Sequence, residues 1–522
     1  MNYFSSPTKH RIFSRESRAA PALARVRLLA LVVLTAVGTS VFPAQRLSDI
    51  TNLPTLGDAE RGTLSPQMER RLGERIMRDI VRDPDYLDDA PTLEYMNEFG
   101  NGLLAAQPEL RGETDFNFSF FVVRDPMLNA FALPGGFIAV HSALLLAAQT
   151  ESELASVVAH EIGHVTQRHI ARQLGQQKQD ALIPLAGAIL AALMVRANPD
   201  AATAALAGSQ GLAIQRQLNF SRDAEREADR VGLQIMRAAG YETAGMIAFF
   251  GRMQTATRAY TDVPAFLNSH PLTTERIADI TERTRDLRYR QHADNPDFQL
   301  IRARMRILQD DSAQGLRDAS EFFSAQLAQK NRQVTIAADY GLALIALKRS
   351  DAAKAQTLLQ EARALNARRP DAMSSVLDYL AIDIALAAGK TAEAVKLAET
   401  ARNRFPLSRG LARRYADTLL AAARADDAIA YLRDQVQLYR SEAALQDLLA
   451  KAYSIKGKLT LQHVALAESY AQNGSLPAAL DQLGIARKSA DASFYDLSLI
   501  DAREREFQQR WRDELAENKK EK

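Results

Sequence analysis

Two histidines four residues apart, His160 and His164, form the pattern in this 522-residue chain that most clearly suggests chemistry. On a helix they project from one face, where two neutral imidazole nitrogens can bind the same metal ion. Glu161 directly follows the first histidine, so its carboxylate can reach a water on that metal without being a ligand. The pattern predicts metal-dependent hydrolysis with Glu161 as the general base. The alternative is a helix that happens to carry two partly buried histidines.

A carboxylate that could complete this metal site lies in the charged segment of residues 221–229. Glu225 and Asp229 share a helix face if Ser221 caps a helix there. Glu225 could then bind the metal, while Asp229 could accept a proton from a ligand histidine and fix its tautomer. Glu227 lies about 200° around the helix from Glu225 and should point away. The alternative is an ordinary solvated face of charged residues.

The elements that must position these side chains can be read from periodicity and capping. Thr150 and Glu153 predict a capping box at the start of the histidine helix, and no proline interrupts residues 151–170. Upstream, the pattern predicts two helices and two strands, over about 66–82, 91–106, 116–123 and 137–140. The sequence therefore predicts a domain with a small β-sheet beside the histidine helix.

Taken together, these motifs resemble the M48 zinc metallopeptidases. The resemblance rests on four stretches: Asn129–Val140, His160–His164, Ser221–Gly232, and His270-Pro271 with Arg276. It implies one Zn²⁺ per chain, bound by His160, His164 and Glu225. It also implies a mainly α fold, in which an α+β gluzincin-type peptidase domain with a small β-sheet precedes an α-solenoid of tetratricopeptide-like repeats.

The resemblance also implies a strand that binds substrate beside the metal. This strand would comprise Gly136, Phe137, Ile138, Ala139 and Val140, pairing with an extended peptide through main-chain hydrogen bonds. The residues alone fit an ordinary hairpin equally well.

His270 and Arg276 are further catalytic candidates, because they match the HPxxxxR pattern of the family. His270 could hydrogen-bond the oxyanion formed during peptide attack, or it could occupy the fourth zinc position and silence the resting enzyme. A third interpretation is a histidine at a helix start with no catalytic part. Arg276 could orient a carboxylate or stabilise the oxyanion.

The N-terminus predicts export from the cytoplasm. Basic residues precede an apolar stretch of ten residues at 28–37, and small residues follow. This is typical of a signal peptide spanning residues 1–44, with cleavage near 38 or 44, although an uncleaved anchor is an alternative. The absence of cysteine excludes disulfides, thiolate metal sites and a lipid-modified cysteine, and the net charge of +2 does not favour nucleic acid.

Residues 45–290 are predicted to form the peptidase domain, and residues 295–510 a helical repeat domain. Ala394 and Ala428 lie in similar segments 34 residues apart, which is the tetratricopeptide period, and Pro370 and Pro406 are predicted to end helices. Such a solenoid generally binds partners on its concave face, although it could also be a non-binding cap.

One segment between the two metal-binding helices is unusual. Residues 181–195 carry no charge, and residues 201–211 are rich in small side chains. The segment is either a buried helix beside the site or a mobile lid, with peripheral membrane contact through 181–211 as a further expectation.

The resemblance, leader and repeats together imply a periplasmic endopeptidase, peripheral to the outer membrane. Its substrates would be misfolded or stalled outer-membrane proteins, and the repeats would bind the β-barrel assembly machinery. The alternative is a chaperone or scaffold on that machinery whose protease site is latent.

Overall fold

Helices make up most of the protein in the computed structural model, which describes residues 64–111, 116–175, 221–259, 265–287, 291–329, 331–369 and 373–520. The mainly α fold class predicted from the sequence is confirmed. The predicted signal peptide and the segment 181–211 lie outside the described residues. Among the helices that are described, none is long and apolar enough to cross a membrane.

The first half of the described chain contains the predicted sheet and nine α-helices. Its elements are α1 (Pro66–Ile80), α2 (Ala90–Ala105), β1 (Ser119–Val123), β2 (Ala130–Leu133), β3 (Phe137–His141), α3 (Ser142–Ala147), α4 (Glu151–Thr166), α5 (His169–Gly175), α6 (Arg222–Ala238), α7 (Ala244–Ala259), α8 (Ala265–Ser269) and α9 (Thr274–Arg285). A 3₁₀ turn, Pro108–Arg111, follows α2.

The sheet has the strand order β1-β3-β2, with β3 in the centre. Strand β3 pairs with β1 in parallel, Phe120 opposite Ile138, and with β2 in antiparallel, Ala132 opposite Ile138. The prediction that residues 136–140 receive the substrate is therefore wrong, because both edges of β3 already pair within the sheet. Strand β2 has a free edge in the described structure, and it packs against α4.

Helix α4 begins as predicted. The Thr150 side chain accepts a hydrogen bond from the Glu153 backbone N–H, and the Glu153 carboxylate accepts one from the Gln149 N–H. Every residue of α4 is buried, so its two histidines are held inside the protein. The helix ends at Thr166, earlier than the proline-free segment suggests, and Arg168 has the left-handed φ of 53°.

Helices α4 and α6 cross with almost no space between their backbones. A Cβ atom at Gly163 would lie 3.0 Å from the Cα of Ala228, and one at Gly232 would lie 3.1 Å from the His160 backbone nitrogen. A side chain at either position would make an unusually tight contact with the backbone of the other helix, so glycine favours this close crossing. The crossing places the inward face of α6 against the two histidines of α4.

The second half of the described chain consists of helices packed in sequence. They are α10 (Pro296–Gln309), α11 (Ala313–Leu327), α12 (Arg332–Lys348), α13 (Ala352–Asn366), α14 (Ser375–Ala387), α15 (Thr391–Arg404), α16 (Arg409–Ala421), α17 (Ala425–Leu438), α18 (Ala443–Ile455), α19 (Leu459–Gln472), α20 (Leu476–Lys488) and α21 (Phe494–Lys520). Helices α15, α17 and α19 start at residues 391, 425 and 459, at the 34-residue interval predicted from Ala394 and Ala428. Both alanines are fully buried.

Largely buried polar contacts join α10 and the start of α16 to α2. Arg304 of α10 binds both carboxylate oxygens of Asp89, at 2.6–2.9 Å, and its third nitrogen lies 3.0 Å from the Tyr340 hydroxyl. Although burial favours protonation, Arg304 holds the pKa of Asp89 below its usual value. Glu94 of α2 accepts hydrogen bonds from the Ser408 hydroxyl and the Gly410 N–H. The predicted boundary near 290–295 stays a prediction, since the contacts group all described residues into one unit.

The far end of the helical array also contacts the first half, but at the surface. Arg82, just after α1, donates hydrogen bonds to the carbonyl of Asn473 and the hydroxyl of Ser475, at 3.0 and 3.1 Å. Arg78 lies 3.9 Å from Glu514. These pairs are exposed, unlike the contacts of Asp89 and Glu94.

Replacing Arg304 with methionine should lower the free energy of unfolding by about 3–5 kcal/mol, because the buried Asp89 carboxylate would lose its cation. Urea denaturation followed by circular dichroism measures the change. The control is Arg409→Met, since the Arg409 side chain is 57% exposed and lies 3.6 Å from Glu442. The control should lower the free energy of unfolding by only about 0–1 kcal/mol. An equally small loss for Arg304→Met would show that the buried pair does not hold α10 to α2.

Candidate metal centre

The two histidines of α4 direct their Nε2 atoms to a common point. These atoms lie 3.0 Å apart, and both rings are completely buried. Glu225 of α6 reaches the same point, with its carboxylate oxygens 3.5 Å from Nε2 of His160 and 3.4 Å from Nε2 of His164. The structure therefore brings together the three side chains that the sequence suggested as ligands.

Asp229 lies one turn further along α6, as its spacing from Glu225 predicts. Its Oδ1 atom is 2.9 Å from Nδ1 of His160, the ring nitrogen that faces away from the cluster. Glu227 points elsewhere, also as predicted, but it is buried and lies 3.0 Å from Nε2 of His169. The segment 221–229 is thus a helix with an inward carboxylate face, and the interpretation as a solvated charged face does not hold for it.

Arg276 is bound to the two inward carboxylates. Its Nε and one terminal nitrogen donate to the two oxygens of Asp229, both at 2.8 Å, and the other terminal nitrogen lies 2.7 Å from Glu225. Thr273 caps α9 and accepts from the Arg276 N–H, so this arginine occupies the first turn. With its donors used on these carboxylates, the guanidinium fits the role of orienting them rather than stabilising an oxyanion.

Glu161 is buried at the same cluster without a good partner. Neither carboxylate oxygen accepts a well-formed hydrogen bond in the described structure, and the closest histidine nitrogen, Nε2 of His270, lies 3.5 Å away. Burial raises the pKa of Glu161, an effect that His270 and His160 only partly offset. An unsatisfied buried carboxylate is costly, and a metal with its water would satisfy it. The donor set of two imidazoles and a carboxylate also suits a divalent transition metal.

His270 lies within the same cluster. Its Nδ1 is 2.9 Å from Oε1 of Glu225 and 3.3 Å from Nε2 of His160. Ligand atoms of His160, His164, Glu225 and His270 all lie within 4.8 Å of one another. The ring stacks on Phe266 of α8, with centroids 4.7 Å apart. The structure thus places this histidine where a fourth ligand would be, and close to Glu161.

The buried charges of the cluster perturb one another strongly. Burial alone would lower the pKa of His160, but hydrogen bonds and charges from Asp229 and Glu225 outweigh it and raise that pKa to about 9. Burial lowers the pKa of His164 well below its usual value, which Glu225 only partly offsets. Despite its burial, Glu225 has a pKa well below the usual range because of His270, His160 and His164. One ligand histidine is therefore held protonated and the other neutral.

One residue of this site is absent from the sequence-based interpretation. His169 opens α5, and its Nδ1 lies 2.8 Å from Nδ1 of His164. Its distance of five residues from His164 gives no signal, because five residues along a helix correspond to about 140° of rotation. Only the end of α4 at Thr166 brings the two rings together.

Replacing Arg276 with methionine should destabilise the metal-free protein more than the metal-loaded protein. Without metal, Glu225 and Asp229 would lose their guanidinium and remain as buried charges, at a cost on the order of 3 kcal/mol. With metal bound, the cation would compensate part of this loss. Thermal unfolding with EDTA and with excess Zn²⁺ measures both values. The control is Arg226→Met, which replaces an exposed arginine on α6, the helix that also carries Glu225. It should change the stability of neither the metal-free nor the metal-loaded protein. Equal losses in both states would make Arg276 a packing residue.

Comparison with known proteins agrees with this geometry. Residues 103–284 match peptidase family M48. The chain is 32% identical to the beta-barrel assembly-enhancing protease of Yersinia pestis, over 89% of this chain and 92% of that protein. It is 30% identical to the protein of that name from Escherichia coli K12, over 86% and 90% of the two chains. A mitochondrial metalloendopeptidase OMA1 from Schizosaccharomyces pombe is 26% identical, over 54% and 79%. The chain therefore belongs to peptidase family M48 and is a metallopeptidase.

Proposed function

We propose that the protein is a zinc-dependent endopeptidase in which His160, His164 and Glu225 bind the metal. The observation that carries this proposal is the convergence of the three ligand side chains beside Glu161, whose two oxygens have no well-formed hydrogen bond in the described structure. When bound, the metal supplies Lewis acidity, which acidifies water and polarises a peptide carbonyl.

Glu161 acts as the base and acid of the reaction. It accepts a proton from the attacking water and returns it to the amine that leaves, which suits a carboxyl whose pKa is raised by burial. Asp229 accepts the Nδ1 proton of His160 and thereby keeps Nε2 free for the metal. Arg276 holds Asp229 and Glu225 in place through both of its terminal nitrogens.

The substrate is bound along the free edge of β2, in place of the predicted strand 136–140. Because the His141 N–H donates to the Asn129 carbonyl, the alternation of an antiparallel ladder turns the backbone groups of Ala130 and Ala132 away from β3. The backbone of Ala132 lies close enough to Glu161 to lower its pKa slightly. An extended peptide paired with β2 would therefore pass beside the catalytic carboxylate.

His270 would keep the resting enzyme silent by serving as a fourth ligand of the metal beside His160, His164 and Glu225. Its Nδ1 faces the cluster while its Nε2 lies toward Glu161, so one ring covers both the metal position and the base. Activity then requires the segment between α8 and α9 to move. The alternative is that His270 stabilises the oxyanion, in which case replacing His270 should lower the rate of cleavage instead of raising it.

The biological substrates are misfolded or stalled outer-membrane proteins in the periplasm, with the helical array binding the β-barrel assembly machinery. The Yersinia and Escherichia relatives are both named beta-barrel assembly-enhancing protease, which supports this assignment. The regular 34-residue spacing of helices α15, α17 and α19 also supports it. A chaperone or scaffold role with a latent protease is the second candidate, favoured by the position of His270 in the cluster.

Glu161→Gln should abolish cleavage of an unfolded outer-membrane barrel protein while leaving the metal bound, because Glu161 is not a ligand. Metal content by mass spectrometry and gel-based proteolysis measure the two effects. The matched variant Glu225→Gln should lose metal as well as cleavage. Barrel assembly that survives in Glu161→Gln would be non-proteolytic and would favour the scaffold role. Full cleavage by Glu161→Gln would refute the mechanism.

His270→Ala should increase the rate of cleavage several-fold, because it exposes the fourth metal position and frees Glu161. The rate is measured with an unfolded protein substrate and saturating Zn²⁺. His292→Ala serves as control, since His292 lies away from the cluster against Tyr241. A decrease in rate for His270→Ala, with metal retained, would support oxyanion stabilisation instead.

A further inference from the structure

His169 connects the second ligand histidine to a carboxylate that is not part of the metal cluster. The Nδ1 atoms of His169 and His164 are 2.8 Å apart, and Nε2 of His169 is 3.0 Å from Oε2 of Glu227. Glu227 in turn accepts a hydrogen bond of 2.7 Å from Arg172. Both imidazoles and the carboxylate are buried, so solvent does not compete with these contacts.

The direction of the hydrogen bonds follows from the metal ligand. If Nε2 of His164 gives its lone pair to a metal, the proton of this neutral ring is on Nδ1. Nδ1 of His169 must then accept a hydrogen bond from this N–H, which places the proton of His169 on its own Nε2. That N–H donates to Glu227. The tautomer of each ring is thus fixed by the next group in the series His164, His169, Glu227.

The two ligand histidines are supported in comparable ways by α6. His160 contacts Asp229 directly, at 2.9 Å, whereas His164 reaches Glu227 through the ring of His169. Asp229 and Glu227 lie two residues apart on the same helix and face different sides. Helix α6 therefore supplies a ligand, Glu225, and a separate carboxylate for each histidine ligand.

The backbone is bent to make this contact. Continuation of α4 would carry His169 about 140° around the helix from His164. Instead, Arg168 adopts φ 53°, a left-handed conformation that is unfavourable for a non-glycine residue. Its guanidinium donates to the Leu64 carbonyl and lies 3.3 Å from the buried carboxylate of Glu69. These contacts hold the turn that returns His169 to the site.

We propose that His169 is a positioning residue of the metal centre, which fixes the tautomer and ring orientation of His164 and is itself fixed by Glu227. The inference rests on the proposed function, in that His164 binds the metal. Groups that orient a ligand histidine typically contribute 10–100-fold to metal affinity. His169 is therefore expected to govern metal retention rather than the chemistry of bond cleavage.

The test compares two substitutions: one keeps an aromatic ring at position 169 without an acceptor atom, and the other keeps an acceptor atom without the ring. His169→Phe keeps a ring but removes the acceptor, and the dissociation constant for Zn²⁺ should rise about 10–100-fold. His169→Asn loses the ring but places an amide oxygen near the Nδ1 position, so it should retain most of the affinity. Competition with a chelator at pH 7.5 measures the affinity, and thermal unfolding in EDTA measures the stability of the metal-free protein.

Two further variants complete the experiment. Glu227→Gln should weaken the affinity less than His169→Phe, because the amide oxygen can still accept from His169. The control His463→Ala removes a partly buried histidine that contacts Gln482 in the helical array and should leave the affinity unchanged. If His169→Phe does not fold, His169→Ala takes its place in the comparison with His169→Asn.

Two results would overturn the inference. One is an affinity of His169→Phe, or of its alanine substitute, that equals that of the wild type. The other is an equal loss in the phenylalanine and asparagine variants, because a lost acceptor would then not be the cause. Failure of the wild-type protein to bind Zn²⁺ would instead refute the proposed function. Stoichiometric binding by the wild type with no effect at His169 refutes the positioning role alone.

Discussion

The close crossing of α4 and α6 is the constraint on which the rest of the site depends. Each helix contributes a pair of side chains at positions i and i+4, and the crossing sets these pairs face to face. A Cβ atom at Gly163 or Gly232 would lie only 3.0–3.1 Å from the backbone of the other helix, so these glycines allow the close approach that brings the ligands together. The burial of α4 on all sides then prevents the histidines from reorienting.

Charge balance explains how so many ionisable groups remain buried together. Three carboxylates, those of Glu161, Glu225 and Asp229, face one guanidinium and a set of imidazoles. Asp229 and Glu225 raise the pKa of His160 to about 9. In the metal-free protein this ring is therefore positively charged near neutral pH, with a proton on each nitrogen. A metal must displace that proton. The protonated histidine and the metal would thus be alternative cations for the same pair of carboxylates, to which Arg276 contributes one further positive charge.

The sequence predicted those parts of the site that lie on regular helices. The positions of Glu225 and Asp229, and the fact that Glu227 points away from them, follow from helical spacing, and the start of α4 follows from Thr150 and Glu153. Features that depend on irregular or long-range geometry were not predictable. The contact of His169 with His164 depends on the left-handed conformation of Arg168. The strand predicted at 137–140 is present, but the substrate-binding role given to residues 136–140 was wrong because the strand order places β3 in the centre of the sheet. A short apolar strand reads the same at the centre of a sheet and at its edge. The 34-residue helix spacing was recognised from two alanines that proved to be buried.

The two ends of the helical array are attached to the rest of the protein with very different strengths. Near α10, separation would leave the largely buried Asp89 carboxylate without Arg304. At the far end, separation would break the surface contacts of Arg82 and Arg78, which water can replace. A force or ligand that separates the array from the first half of the protein would therefore break the contacts of Arg82 and Arg78 first. The array would pivot about α2, the helix that also packs against α4.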